Sequence, residues 1–153
     1  MKKFTPNPSR RRSAFTLLEL LIVLAIIVAI AAMVAPNLLG SLQDANVAIA
    51  RTDIKNLEDA FKRKAVKMNG VFESGTGSDK IKALSQEWED SMGKKQQPLM
   101  ESYKKDPWNN DYQYSFDSNN DQKPRIWSFG PDGQDNGGEP DSDDVSNVTA
   151  PVQ

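Results

Sequence analysis

Six carboxylate side chains, and no basic side chain, lie between Ile126 and the C-terminal end of the sequence. The six are Asp132, Asp135, Glu139, Asp141, Asp143 and Asp144. Hard oxygen ligands on a loop rich in Gly and Asp suit Ca2+, which accepts irregular six- to eight-fold coordination. On composition alone, however, a solvated acidic tail that repels itself and stays disordered is the more ordinary interpretation.

A second string with calcium-ligand spacing lies just upstream. Asp117, Asn119 and Asp121 stand at the spacing of the first three ligands of an EF-hand loop. Gln122 occupies the position where that loop needs Gly, and Ser128 occupies the position of its bidentate Glu. We therefore interpret this string as a hairpin turn. No signature of an apolar pocket singles out two carboxylates as a catalytic pair.

Composition excludes several other kinds of chemistry. The 153 residues include no Cys and no His. This excludes a disulfide framework, a zinc finger, a thiol nucleophile, a haem-ligating His and a Ser-His-Asp triad. Any metal site must use oxygen ligands, which favours calcium or magnesium over soft metals.

Charge is unevenly distributed along the chain. Residues 1–14 contain five basic and no acidic side chains, whereas residues 15–153 contain 14 basic and 21 acidic side chains. The short basic leader is therefore followed by a region with a net charge of −7. Because no basic patch outside the leader is available to neutralise phosphates, the sequence predicts no nucleic-acid partner.

A single carboxylate, Glu19, interrupts the most apolar segment of the chain. Phe15 to Ala35 are 21 residues in which Glu19 is the only charge. As a helix rising ~1.5 Å per residue they span about 31 Å, the thickness of a bilayer core. The positive-inside rule keeps the basic leader in the cytoplasm and sends the rest of the chain to the far side. A Glu inside a membrane helix costs roughly 2.5–3.5 kcal/mol on insertion scales, so Glu19 should have a partner.

Two ordinary interpretations of this apolar segment stay open on composition alone. A cleaved secretory signal peptide would use LLIVLAIIVAI as its apolar region and AIAAMVA as its cleavage site. A plain membrane anchor would need no cleavage. The length of the apolar run and the carboxylate near its start both argue against a signal peptide.

Helical periodicity continues beyond the apolar segment and predicts one long helix that ends near Met68. Apolar residues recur mostly at spacings of three or four, at Leu42, Ala45, Ile49, Ile54, Leu57, Phe61, Ala65 and Met68. Pro36 and Gly40 then lie inside the helix, where Pro removes a hydrogen bond and permits a kink. The Asn69-Gly70 pair is typical of a helix C-terminus.

The residues that follow predict a loop and a second helix. Residues 73–79 have the composition of a flexible loop. Four apolar residues then recur at helical spacing, namely Ile81, Leu84, Trp88 and Met92. We therefore predict a short helix from Lys80 to Met92, capped by Ser78 or Asp79, with Trp88 in the core.

Alternation of apolar and polar residues predicts one β-hairpin in the C-terminal half. The alternating residues are Tyr112, Tyr114 and Phe116 in the first strand and Trp127 and Phe129 in the second. The polar run between them supplies the turn. Packing of this small sheet on the amphipathic half of the long helix gives an α+β fold.

The sequence SAFTLLELLIVLAIIVAIAAMVAPN, behind its basic leader, resembles the class III signal of type IV pilins and type II secretion pseudopilins. In that family a prepilin peptidase cuts before the Phe and methylates the new N-terminus, which implies cleavage between Ala14 and Phe15. The family usually has Gly at the position of Ala14. Glu19 and Pro36 then match the fifth and twenty-second residues of the mature pattern. The partner this implies for Glu19 is the α-amine of a neighbouring subunit in a filament.

Two later segments narrow the resemblance to the G-type pseudopilins of type II secretion. They are DPWNNDY at residues 106–112 and IWSFGPDGQDNGGEPDSDD at residues 126–144. The resemblance implies a type IV pilin-like fold with one calcium ion bound by the loop after the last strand. Carried over by position, the ligands are the carboxylates of Asp132, Asp143 and Asp144 and the carbonyl oxygens of Phe129 and Gln134. The longer loop of this chain leaves open what Asp135, Asp141 and Ser142 contribute.

The same resemblance divides the chain into four parts. These are a leader (1–14), a membrane-spanning and filament-core helix (15–35), an amphipathic half-helix (36–68) and a periplasmic globular region (69–153). It implies a non-enzymatic structural subunit, anchored in the bacterial inner membrane, that polymerises into a periplasmic pseudopilus and helps to drive folded proteins across the outer membrane. The implied partners are other copies of the chain, minor pseudopilins, the prepilin peptidase and the inner-membrane assembly platform.

Two alternatives to this function stay open. Within the same class, the chain could be a type IV pilin or a minor pseudopilin. In a different class, it could be a periplasmic binding module or hydrolase held by a signal anchor. The mature N-terminus separates the classes, because Phe15 is expected only from filament-type processing.

Overall fold

The computed structural model describes residues 15–140 and 142–148. The chain divides into two compact units, one ending at Gly40 and the other beginning at Ser41. Helix α1 comprises Leu17–Lys67 and is 51 residues long, with Pro36 inside it.

In the first unit, α1 leaves its large apolar side chains exposed on every face. Their exposed fractions run from 51% at Val23 to 79% at Met33. Among the helices of the described residues, α1 is the one that is long and apolar enough to cross a membrane. A helix that is apolar all round needs an apolar medium or apolar neighbours on all sides.

In the second unit, α1 buries one face. The buried side chains recur at spacings of three, four or one, at Ala50, Ile54, Leu57, Ala60, Phe61 and Ala65. The helix ends where the sequence predicts, because Asn69 (φ 59°) and Gly70 (φ 83°) adopt the left-handed conformation. The amide of Gly70 donates to the carbonyl oxygen of Ala65 at 2.8 Å, which closes the last turn.

Six short strands follow α1 in the part of the chain that the structure describes. They are β1 (Gly75–Thr76), β2 (Trp88–Glu89), β3 (Lys95–Gln96), β4 (Gln113–Phe116), β5 (Arg125–Ser128) and β6 (Val145–Ser146). Strands β1, β4, β5 and β6 form an antiparallel sheet in that spatial order, and β2 pairs with β3 separately. The predicted hairpin is the β4–β5 pair, in which Tyr114 lies opposite Ile126.

The sheet packs on the buried face of α1. The Phe61 and Tyr114 rings have their centroids 4.4 Å apart. The rest of the core comes from the sheet and the segment after β1, including Ile81, Leu84, Tyr112, Phe116, Ile126 and Val145. The α+β fold predicted from the sequence is confirmed.

The loop predicted over residues 73–79 contains a strand. Gly75 and Thr76 pair with Phe116 and Ser115 at the edge of the sheet. Gly75 has a φ of 131°, a conformation that favours glycine over residues with a Cβ. This strand exists because of its long-range partner, which a local pattern does not reveal.

The predicted helix from Lys80 to Met92 is wrong beyond Ser85. Helix α2 comprises Asp79–Lys82 and is followed by a single 3-10 turn, Ala83–Ser85. The chain then becomes extended, because the carbonyl oxygen of Leu84 accepts the amides of Leu99 and Met100, at 2.9 and 3.1 Å. Long-range hydrogen bonds thus replace the bonds that would continue the helix.

Three details of that prediction are also corrected. Ser78 precedes α2 without a side-chain capping bond. Trp88 opens strand β2 opposite Gln96 and is only half-buried, with the Lys64 ammonium 5.7 Å from the centre of its ring. Met92 lies in the β2–β3 turn and is 90% exposed.

Candidate functional site

The first candidate site is the N-terminus of α1, where Thr16 and Glu19 form a reciprocal capping pair. The Thr16 amide and hydroxyl donate to Glu19 Oε2 at 2.8 and 2.9 Å, and the Glu19 amide donates to Thr16 Oγ1 at 3.2 Å. This is the capping box, in which a Thr and a Glu three residues apart satisfy free helix amides. The partner predicted for Glu19 from the sequence was a cation. Thr16 was missed, although the T-x-x-E spacing was its signal.

The predicted processing and assembly residues lie along the same region. Phe15 precedes α1 and is exposed, and Pro36 lies within the helix. Ala14 lies outside the described residues. A carboxylate in the first turn, such as Glu19, is also favoured by the positive end of the helix dipole.

The second candidate site is the acidic loop, which we define as residues 129–144, between β5 and β6. Its two ends are in contact, because a Cβ on Gly130 would meet the carbonyl oxygen of Asp143. Gly130 also has a φ of 67°. A residue with a side chain would therefore be excluded twice at this position, by backbone strain and by collision.

Asp144 is held by two backbone amides of the acidic loop. Its Oδ2 accepts the amides of Asn136 and Gly138, at 3.1 and 2.8 Å. Its Oδ1 is buried and has no hydrogen-bond partner among the described residues. Burial raises the pKa of Asp144 above its ordinary value against the effect of the two amides, and the neighbouring charges of Asp135 and Asp143 add to the rise.

The other predicted ligands all precede Asp144 in the chain. Asp132 accepts the amide of Gln134 at 2.8 Å in an exposed turn. The backbone carbonyl oxygen of Asp143 lies beside Gly130. Gly130 directly follows the predicted carbonyl ligand Phe129 in the chain. Within residues 15–140 and 142–148, no three acidic side chains converge closely enough to hold a metal by themselves. Asp132 therefore does not join Asp143 and Asp144 in such a group.

Asp135, whose role the sequence left open, and Glu139 are held by side chains of β5. The indole nitrogen of Trp127 donates to Asp135 Oδ1 at 2.9 Å. Arg125 Nη1 donates to Glu139 Oε1 at 2.7 Å and to the carbonyl oxygen of Gly137 at 3.0 Å. Asp141 lies outside the described residues.

A buried carboxylate that the sequence analysis did not select, Asp106, fixes the start of the acidic loop. Its Oδ1 accepts the amides of Trp108 and Asn110, at 3.1 and 2.7 Å. Its Oδ2 accepts the hydroxyl of Ser128, whose oxygen accepts the amide of Gly130 at 3.1 Å. The Asp-Pro-Trp string was the available signal, because an Asp that turns the chain in this way bonds backbone amides just after it.

The string from Asp117 to Asp121 is a hairpin turn, as predicted. Asp117 Oδ1 accepts the amide of Asn119 at 3.0 Å, and Asp121 Oδ2 accepts the amide of Asp117 at 2.8 Å. These carboxylates are occupied by the turn itself. The calcium-like spacing in this string is a consequence of turn chemistry.

Comparison with known families gives two matches along the chain. Residues 37–148 match the family described as type II secretion system (T2SS), protein G. Residues 9–35 match the prokaryotic N-terminal methylation motif. Together the two matches include both candidate sites.

Individual proteins and a solved structure agree with these matches. The chain is 33% identical over 147 residues to type II secretion system core protein G of Vibrio cholerae, covering 90% of this chain and 92% of that protein. It is 32% identical over 126 residues to the protein of the same name from Pectobacterium carotovorum, covering 80% and 78%. The fold resembles the crystal structure of the major pseudopilin from the type 2 secretion system of enterohaemorrhagic Escherichia coli. The TM-score is 0.57 at 24% identity, over 73% of this chain and 90% of that one.

Proposed function

Because the chain belongs to the type II secretion system protein G family, we propose that it is a major pseudopilin, a structural subunit that polymerises into the pseudopilus. The observation that carries this proposal is the contrast within α1. Its apolar side chains are exposed on all faces before Gly40, whereas one face is buried after Ser41. The first part suits a membrane and then a filament core, and the second part suits a folded domain.

Processing and location follow from the N-terminal segment. We propose that a prepilin peptidase cuts between Ala14 and Phe15 and methylates Phe15. Before assembly the subunit crosses the bacterial inner membrane once, with the globular region in the periplasm. After assembly it lies in the periplasmic filament, where it helps to move folded proteins toward the outer membrane.

Assembly depends on Glu19 in this proposal. Cleavage creates a cationic α-amine at Phe15, and a neighbouring subunit can set that amine against Glu19 inside an apolar bundle. Removal of either charge would leave the other buried without compensation, which is strongly unfavourable. The partners are further copies of the chain, minor pseudopilins, the prepilin peptidase and the inner-membrane assembly platform. The subunit itself performs no catalysis.

The processing proposal is tested by mass analysis of the N-terminus of the protein isolated from membranes. We expect a chain that begins at methylated Phe15. A chain that begins after the apolar run would instead indicate ordinary secretion, and a chain that begins at Met1 would indicate a plain anchor. Either of these results would contradict the proposal that the chain is a filament subunit.

The assembly proposal is tested by crosslinking of Glu19→Ala in cells. The variant should insert into the membrane normally, because a costly charge is removed, but it should lose the ladder of crosslinked multimers. Asp44→Ala is the matched control, since Asp44 is an exposed acid on α1 beyond the apolar segment. Ladders of normal length in Glu19→Ala would contradict the proposal.

We also propose that the acidic loop binds one calcium ion. The ligands would be the carboxylates of Asp143 and Asp144 and the carbonyl oxygens of Phe129 and Gln134. Asp132 would join them only in the calcium-bound state, because without the ion it does not converge with the other two carboxylates. The support from this chain is the buried, unpartnered Oδ1 of Asp144, together with the contact between the two ends of the loop. A bound cation would supply the positive charge that the loop lacks.

Thermal unfolding tests the calcium proposal. The protein should melt at a higher temperature in calcium than in chelator, because a ligand that binds only the folded state stabilises it. Asp132→Ala, Asp143→Ala and Asp144→Ala should abolish the difference. Asp121→Ala should not, because Asp121 belongs to the hairpin turn. One melting temperature in both conditions would contradict the calcium site and leave the filament proposal in place.

A further inference from the structure

Within the acidic loop, residues 135–139 touch the sheet through two side chains of β5. The Trp127 indole donates to Asp135, and Arg125 donates both to Glu139 and to the carbonyl oxygen of Gly137. The Trp127 ring also packs against Gly138, where an added Cβ would come within 2.9 Å of Trp127 Cβ. This part of the loop is therefore bound to the sheet by three hydrogen bonds and one close contact.

The backbone of the same segment also binds Asp144. The amides of Asn136 and Gly138 both donate to Asp144 Oδ2, which leaves Oδ1 as the buried oxygen without a partner among the described residues. The segment thus links β5 to the carboxylate. If the segment moved, the two amides would move with it, and Asp144 would lose the contacts that orient it.

We propose that Arg125 and Trp127 are positioning residues for the metal carboxylate Asp144. They hold residues 135–139 on the sheet, so that two backbone amides fix one oxygen of Asp144 and direct the other to a calcium ion. This inference rests on the calcium site proposed above. Removal of a group that hydrogen-bonds a metal ligand changes metal affinity by roughly 10- to 100-fold. Arg125 and Trp127 act one step further out, through the amides of Asn136 and Gly138, so the lower end of that range is expected.

Because Arg125 is charged, the direction in which its removal changes the calcium affinity tests the proposal. Arg125 is a cation close to an acidic metal site, so long-range electrostatics alone predict that its removal strengthens calcium binding. Positioning predicts the opposite, because the loop segment loses its anchor. The direction of the change in affinity therefore separates the two effects without reference to their exact sizes.

Calcium titration by calorimetry on the full mature protein in detergent micelles provides the measurement. Arg125→Met removes the donors and the charge while keeping a side chain of similar length. Lys123→Met is the matched control, because Lys123 is a cation of the same hairpin that donates to Asn147 instead of the acidic loop. Arg125→Lys restores the charge and one donor. Trp127→Phe keeps a ring against Gly138 and removes only the donor to Asp135.

We expect Arg125→Met to weaken calcium binding about tenfold. Arg125→Lys should recover most of the affinity, and Trp127→Phe should show a smaller loss in the same direction. Lys123→Met should leave the affinity unchanged or slightly raise it. Calcium binding by Arg125→Met as tight as that of the wild type, or tighter, would overturn the positioning role and leave the calcium site standing. Absence of calcium binding in the wild type would overturn both.

Hydrogen exchange on the calcium-free protein gives a second readout that needs no metal. Peptides that cover residues 133–140 should exchange faster in Arg125→Met than in the wild type, because the amides of Asn136 and Gly138 lose their fixed acceptor. Peptides from α1 should exchange at the same rate in both proteins. Equal exchange of residues 133–140 in Arg125→Met and Lys123→Met would overturn the proposal even if affinity changed.

Discussion

The two parts of α1 differ in what surrounds their apolar side chains. Before Gly40 the large apolar side chains are more than half exposed, whereas after Ser41 the apolar face is buried against aromatic and aliphatic side chains of the sheet region. Both parts have the same backbone conformation. The difference teaches that helix formation and helix burial are separate properties, and that the first part must obtain its apolar surroundings from a membrane or from other subunits.

The two parts of α1 also differ in how far along the chain their polar groups find hydrogen-bond partners. In the first part, the Thr16–Glu19 pair satisfies a helix end through neighbours three residues away in the chain. In the second part, polar groups find distant partners, as when the Tyr112 hydroxyl donates to Asp53, 59 residues earlier. Substitutions should therefore act locally in the first part and on the whole domain in the second.

The largest expected effect is loss of the central core aromatic. Phe61→Ala should reduce the free energy of unfolding of the globular region by about 4 kcal/mol, because it leaves a cavity beside Tyr114. Leu24→Ala should leave that unfolding transition unchanged, since Leu24 is 57% exposed. Thermal and denaturant unfolding in micelles measures both. A similar loss of unfolding free energy in the two variants would contradict the difference in burial between the two parts of α1.

Loss of the buried carboxylate at the base of the acidic loop should have the next largest effect. Asp106→Ala leaves two partly buried amides and the buried Ser128 hydroxyl without their acceptor. We expect a loss of about 3 kcal/mol in the free energy of unfolding. Asp117→Ala is the control, because that carboxylate serves an exposed turn. A smaller loss in Asp106→Ala than in Asp117→Ala would contradict the assigned role of this network.

A smaller effect should appear in the pH dependence of unfolding. The hydrogen bond from the Lys82 ammonium holds the pKa of Asp111 below its ordinary value, and the same bond raises the pKa of Lys82. The stabilisation from Asp111 is present above its unfolded pKa of about 4 and is lost as pH falls through the lowered pKa. The stabilisation from Lys82 is present below its unfolded pKa and is lost as pH rises through the raised pKa.

Unfolding of Asp111→Asn between about pH 2 and pH 6 measures this contribution. The variant should lose less stability than the wild type on the acid side, because its side chain does not titrate. Asp79→Asn is the control, since Asp79 is exposed and lies 3.9 Å from the Lys82 ammonium. Identical acid profiles for the wild type and Asp111→Asn would show that the ion pair contributes nothing to folding.

The smallest effect on unfolding should come from the helix N-terminus. Thr16→Val removes the hydroxyl of the capping box, so the first turn of α1 should fray and its amides should exchange faster. The melting temperature of the globular region should not change. Thr52→Val is the control, because its hydroxyl bonds the carbonyl oxygen of Ala48 within the helix. A change in melting temperature in Thr16→Val would contradict the local character of the first part.

Much of the fold was predictable because it depends on local patterns. The periodicity of α1, its end at Asn69-Gly70 and the hairpin formed by β4 and β5 each depend on residues close together in the chain. The capping pair at Thr16 and Glu19 was equally local and readable from its spacing. It was missed only because the carboxylate was interpreted as needing a charged partner.

The segment from Lys80 to Met92 was not predictable in the same way. Its helical spacing is real, but the amides of Leu99 and Met100 bond the carbonyl oxygen of Leu84 and turn the chain away. Strands β1 and β6 have two residues each and exist only as partners of β4 and β5. Pairing between distant segments contributes more than local propensity here, and no short window of sequence contains that information.

The acidic loop separates the two kinds of information most clearly. Composition and spacing determined that a run of carboxylates without a base follows the hairpin, and that oxygen chemistry is the only metal chemistry available to this chain. Only the tertiary structure decided that Asp135 and Glu139 bond side chains of β5, while Asp144 keeps a buried oxygen without a partner among the described residues. The physical reason is that the acids of this loop are chemically equivalent along the chain, and they differ only in which donors the fold brings to each of them.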